Sequence, residues 1–145
     1  MFQHTWKLQP LQAIKLQRNL AKKVRHKNGF KNIKLIVGAD VGFDKEGKRV
    51  FGVMVVLTYR KLNIIESARV VLPVKFPYVP GLLSFREGPV LLKAYQKLKT
   101  KSIFVSPGHK IDTETEVIII LSSSQKYRIS VSIRQSHQLA HFTAS

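Results

Sequence analysis

The chain has 145 residues and only eight carboxylates against 25 lysines and arginines, so the position of each acid is informative. They are Asp40, Asp44, Glu46, Glu66, Glu87, Asp112, Glu114 and Glu116. Asp40 stands inside an apolar run, between Val37 and Val41. A carboxylate there is costly unless it is paired, protonated or bound to a metal. The bland alternative is a turn or bulge acid beside Gly38 and Gly42. Glu87 follows Arg86 near the start of a helical pattern, where the helix dipole by itself favours an acid. Brought together, the two would suit Mg²⁺, a hard cation that prefers oxygen ligands. Such a metal activates water and offsets charge on a phosphate being cut. Asp44 and Glu46 read as turn residues, and Glu114 and Glu116 suit a helix start. His109 either supplies a proton or steadies a phosphate, or it satisfies a local carbonyl in a turn. His137 and His141, four apart, share a helix face with no acid beside them.

The elements that must position these groups are legible in the hydropathy pattern. Residues 10–26 have apolar side chains at helical spacing, with Lys15, Arg18, Lys22, Lys23 and Arg25 filling the rest. Pro10 suits a first turn, and Asn28-Gly29 a helix end. Residues 33–43, 49–59 and 62–72 read as strands separated by short turns, hence as antiparallel neighbours. The first two are almost wholly apolar, as in strands buried on both faces. A proline-rich loop, KFPYVPG, leads into a helix over residues 82–98, with Pro89 either starting it or kinking it. A short strand at 103–105, a turn at 106–109 and helices at 113–123 and 133–142 complete the expectation. Three antiparallel strands followed by a helix describe the opening of a ribonuclease-H-like α/β fold. In that fold a carboxylate midway along the first strand faces one from the first helix after the sheet.

Composition narrows the partners. The formal charge is +17, which repels itself and is relieved by a polyanion. Nucleic acid is the first choice, an anionic membrane surface the second, and a merely solvated basic face the bland reading. Without cysteine there is no disulfide and no thiolate metal site. No apolar run reaches the roughly 18 residues of a membrane span, and the N-terminus lacks a secretory apolar block. The expectation is one intracellular, cytoplasmic domain over residues 1–145 with no membrane partner.

The segment FPYVPGLLSFREGP (residues 76–89) resembles the signature block of the endonuclease V family. GADVGF (38–43) is similar to that family's first catalytic motif, and LQAIKLQRNLAKKV to its N-terminal helix. VSPGHKIDTETEV and YRISVSIRQSHQLAH resemble its C-terminal region. The resemblance implies hydrolysis of a phosphodiester, dependent on Mg²⁺ or Mn²⁺, in DNA or RNA containing inosine. It implies Asp40 and Glu87 as metal ligands and His109 as an assisting group near them. Tyr78, in the Pro77-Tyr78-Val79-Pro80 loop, would belong to a wedge that fills the space of the lesion base. Its bland reading is an aromatic packed under a proline turn. Gly81 and Leu82 would line the lesion pocket by backbone approach, and Lys75 and Arg86 would grip the nucleic-acid backbone.

The resemblance falls into two blocks, residues 1–101 and 102–145. Between them the family carries a long central block with a DGHG-type strand, a third catalytic aspartate and a later lysine motif. None of these is found in this sequence. Two readings follow: a shortened metal-dependent endonuclease, or a catalytically inactive remnant that still binds nucleic acid.

Overall fold

A computed structural model describes residues 5–25, 27–29, 32–100, 103, 104, 114, 118 and 136. Its elements run α1 (Pro10–Ala21), β1 (Leu35–Phe43), β2 (Arg49–Thr58), β3 (Ile64–Pro73), α2 (Leu83–Lys97) and β4 (Ile103–Phe104). The three expected strands form an antiparallel meander. β4 joins β1 in parallel, giving the order β3-β2-β1-β4.

β2 is the axis of the sheet. Residues 50–57 are all buried, as the continuous apolar run requires of a strand covered on both faces. One face, with Val50, Met54 and Val56, packs with Val90 and Ala94 of α2 and with Leu98 at its C-cap. The other gathers Val53, Val55 and Leu57 with Ile36 and Leu62. Each fully buried valine or leucine contributes roughly 1.5–3 kcal/mol through removal from water. β1 departs from the expectation of full burial. Ile36, Val37 and Gly38 are buried, whereas residues 39–43 are only half-buried. β4 explains the difference, because it pairs only with Ile36 and Val37. Beyond Val37 no described strand flanks the outer side of β1.

The first helix is shorter than the periodicity predicts. It starts at Pro10, with the Gln9 N–H donated to the Gln12 side chain at 2.9 Å, but ends at Ala21 rather than near His26. Val24, which would have extended the apolar stripe, is 38% exposed and joins no apolar cluster of the described residues that would hold another turn. Asn28-Gly29 therefore lies beyond the helix end. α2 begins at Leu83 and runs through Pro89 without stopping. The proline removes one helical N–H. Its neighbours Val90 and Ala94 are fully buried against the sheet, and that packing carries the helix past it.

α2 is seated by a close approach at its middle and held at its end. A Cβ on Gly52 would lie 2.9 Å from a methyl of Val90 and 3.1 Å from its backbone carbon, so the glycine sets how near the helix can come. At the far end, the Glu66 carboxylate of β3 accepts the N–H of Lys99 at 2.6 Å and of Thr100 at 2.9 Å. Lys97 Nζ donates to the Arg69 carbonyl at 3.2 Å. Trp6 covers the outer side of α2, its ring within 2.6 Å of where a Cβ on Gly88 would stand. Phe76, Leu82, Phe85 and Ala13 form a third apolar cluster linking α1 to α2.

Two consequences are measurable. Gly52→Val drives a side chain into Val90 and is expected to cost about 1–3 kcal/mol by overpacking, read as a fall in the denaturant midpoint. An unchanged midpoint would show that α2 does not depend on this contact. The second concerns Glu66, whose pKa is held below its ordinary 4.5 chiefly by the N–H groups of Lys99 and Thr100. Its folded value lies below the unfolded one, so its contribution is present above 4.5 and disappears as pH falls through the folded value. Glu66→Gln should lower Tm at neutral pH and leave a smaller difference from the parent protein in acid. A gap between the two proteins that persists unchanged into acid would contradict this.

Candidate active site

Asp40 occupies a regular position in β1, in register with Val53. The only register irregularity of the meander lies at Val56/Leu57, so Asp40 is neither a bulge nor a turn acid. Its neighbours Ala39 and Val41 pack into the α2 cluster. By strand alternation Asp40 takes the face of Ile36 and Val53. It lies past the carboxyl end of the β1–β4 pairing, where an α/β sheet opens a crevice for ligands. Because no described strand flanks β1 there, only the width of that strand separates Asp40 from the α2 side.

Glu87 comes from the second turn of α2, not the first, which holds no acid. The dipole explanation thus loses its basis, since that effect fades within the first turn. The Glu87 side chain is half-buried, and its pKa is raised above the ordinary 4.5. Burial is the main cause, the negative charge of Asp40 the second, and the Arg86 guanidinium opposes both. The charge of Asp40 thus reaches Glu87 and makes its ionised form more costly. Arg86 itself is held over the Phe43 ring, 4.6 Å from its centroid, which places a cation beside the pair.

A divalent cation fits this chemistry. Both groups offer hard oxygen ligands, and the repulsion that raises Glu87 is what a positive ion between them would offset. Among the described residues no group of three histidines, cysteines or acids stands close enough to hold a metal. His109 and Asp112 lie outside the described residues.

The other acids fall where turn chemistry puts them. Asp44 closes the β1–β2 turn, accepting the N–H groups of Lys48 at 2.7 Å and Arg49 at 3.0 Å and the Arg49 Nε at 3.1 Å. Glu46 meets Lys48 in an exposed ion pair at 2.7 Å, a geometry of small energetic weight. Glu114 is exposed on a helix.

The loop before α2 presents Tyr78 70% exposed. That excludes an aromatic packed beneath the prolines. Pro77 and Pro80 are exposed beside it, and Val79 turns inward against the α1–α2 cluster. Gly81 has φ +80°, so a side chain there would be strained even though nothing lies within 4 Å of a Cβ. The Leu82 side chain is buried with Phe76 and Phe85, leaving only its backbone toward the loop surface. Lys75, the α1 cations Lys15 and Arg18, and Lys22 and Lys23 just past the helix end are exposed. The stacking of Arg86 on Phe43 carried no signal in the sequence. The two residues are far apart in the chain, and only the register of α2 over β1 brings them together.

An antiparallel meander, a parallel fourth strand and a crossing helix, with an acid from β1 and another from that helix, define a ribonuclease-H-like α/β protein. The chain belongs to the endonuclease V family: the family's model, described as Endonuclease V, matches residues 18–102 and 99–138. Endonuclease V of Thermosipho melanesiensis is 42% identical over 110 residues, covering 74% of this chain and 47% of the relative. With that relative the chain thus aligns over about half the partner's length. Endonuclease V of Dictyoglomus turgidum is 27% identical over 200 residues, covering 87% of each chain. That alignment is longer than the 145-residue chain, so the relative contains positions with no counterpart here. The fold matches the crystal structure of endonuclease V from Streptomyces avermitilis, with TM-score 0.85 and 20% identity, covering 95% of this chain and 94% of that one. It also matches Ciona intestinalis endonuclease V in complex with a 23mer DNA containing an inosine followed by a ribo-adenosine. There the TM-score is 0.81 at 16% identity, over 94% of this chain and 98% of that one. Among the described residues no helix is long and apolar enough to cross a membrane.

The coupling of the two carboxylates can be tested directly. Asp40→Asn removes one negative charge and should lower the Glu87 pKa toward its ordinary 4.5, leaving the part caused by burial. Carboxyl ¹³C titration by NMR reads this. An unchanged Glu87 titration would separate the two groups.

Proposed function

We propose that this chain is a divalent-cation-dependent endonuclease acting on inosine-containing DNA or RNA. The observation that supports it most is the raised pKa of half-buried Glu87, caused in part by the charge of Asp40 arriving from another element. In a chain with eight acids and 25 lysines and arginines, two carboxylates within reach of each other are unexpected unless a cation belongs there. Mg²⁺, or Mn²⁺ in its place, would be held by Asp40 and Glu87. When bound, it would supply Lewis-acid activation of water for attack on the phosphate.

The chain's own residues would do the rest. Asp40 and Glu87 would anchor the cation by their oxygens. Arg86, fixed over Phe43, offsets negative charge beside them. His109 would hold or deliver a proton near the phosphate. Tyr78, set out in solvent on its proline frame, would take the place of the displaced base. Gly81 and the Leu82 backbone would border that base, with Lys75 and the α1 cations on the strand's phosphates. In support stands the Ciona intestinalis endonuclease V in complex with inosine-containing DNA, which shares this fold.

We also propose that the chain is one domain in two blocks, 1–101 and 102–145, joined where the family's central block would stand. The two matched segments meet at residues 99–102, which supports that position for the junction. A site with two carboxylates instead of three compensates less charge, and this gives the second reading its weight: a remnant that binds nucleic acid without cutting it.

Nicking of an inosine-containing oligonucleotide with Mg²⁺ decides between the readings. The enzyme reading expects cleavage that Asp40→Ala or Glu87→Ala abolishes, and a rise in Tm with Mg²⁺ that either variant loses. Equal cleavage by parent and variants would discard the assignment. Binding that weakens steeply with added salt, with no cleavage, would establish the remnant.

A further inference from the structure

A cavity of about 700 Å³ lies between the segment before α1, the β2–β3 end of the sheet and the first half of α2. Neither proposed cation ligand lines it, nor does any residue of the exposed Tyr78 loop from Pro77 to Leu82. Its floor is apolar, with Val50, Leu72, Phe76 and Phe85. Trp6 forms a wall, edge-on to Phe85 with ring centroids 6.3 Å apart. Its charged lining is Lys7, Lys75 and Arg86, with no acid among the lining residues. Both lysines are exposed, and among the described residues neither takes part in an ion pair.

We propose that this cavity is a nucleotide-binding site, taking a flat base against Trp6 and the apolar floor and a phosphate between Lys7, Lys75 and Arg86. The volume falls within the range of small-molecule pockets, and the division into apolar floor and cationic lining is the division within a nucleotide itself. A purely apolar ligand would leave Lys7 and Lys75 uncompensated at its border. A bare phosphate would leave the aromatic floor unused. Trp6 offers a stacking face of the kind that is sequence-tolerant toward bases. Its attachment over Gly88 fixes that face to α2 in advance, which lowers the ordering cost of binding. The nucleotide's source is either a free mononucleotide or one residue of a single strand passing over the basic surface.

Trp6 is the only tryptophan of the chain, so its fluorescence reports the cavity's occupancy. The full chain is titrated with adenosine monophosphate in EDTA, which keeps the result independent of the divalent-cation reading. Adenosine serves as the neutral and optical control. A saturable Trp6 signal with the monophosphate, far weaker with adenosine, is expected. Lys7→Glu and Lys75→Glu should each weaken it by about tenfold or more, through loss of a charge-assisted contact. Both positions are exposed, and an unchanged melting curve confirms that each variant folds. A single-stranded oligonucleotide without inosine that displaces the monophosphate identifies the strand as the source. Lack of displacement identifies the free nucleotide. No saturable signal, an equal response to adenosine, or binding indifferent to both charge reversals overturns the proposal.

Discussion

The seating of α2 on the sheet is the constraint from which everything else follows. Gly52 lets the backbone of Val90 approach to a distance that any side chain would forbid. With the helix fixed at that point, its second turn comes down beside β1 and its far end reaches β3, where Glu66 takes up the last N–H groups. Glu87 is half-buried because of this seating, and Arg86 reaches Phe43 for the same reason. A shift of the helix along the sheet would separate the carboxylates, release the arginine and open the cluster beneath Trp6 together. The acidic pair and the nucleotide-sized cavity are two products of one packing decision.

The meander was legible because three apolar runs separated by short turns leave little topological freedom. The position of Asp40 was legible because a carboxylate within such a run has few bland explanations. Glu87 was less so, since an acid near a helix start has an ordinary reason to be there. The structure removes that reason: α2 begins at Leu83 and continues through Pro89, so Glu87 lies in its second turn. The short end of α1 was missed because periodicity records which residues are apolar, not whether a neighbour exists to cover them. Val24 has the right spacing but joins none of the apolar clusters among the described residues. Glu66 was invisible for the opposite cause. Its role is fixed by residues over thirty positions later in the chain, and only the packed helix brings them within bonding distance. The parallel pairing of β4 with β1 likewise depends on where α2 delivers the chain.

Family membership and site chemistry rest on different kinds of support. The first comes from matched segments over most of the chain and from two solved folds at TM-scores of 0.85 and 0.81. Those folds share no more than 20% identity with it, so they speak for architecture. The second comes from charge. A strongly basic protein has placed an acid on a central strand and another on the helix that crosses the sheet, and has let them repel. The raised pKa of Glu87, caused first by burial and then by Asp40, is the physical basis of the cation proposed there.

Tyr78 stands out in water between Pro77 and Pro80, with Gly81 in the left-handed region just beyond. Pro77 and Pro80 have given up part of the loop's backbone entropy before any partner arrives. Covering the Tyr78 ring should therefore register chiefly as loss of hydrated apolar surface, a negative heat-capacity change on association, with little additional ordering of the loop. The two prolines thus shape the thermodynamic signature of an encounter as well as its geometry.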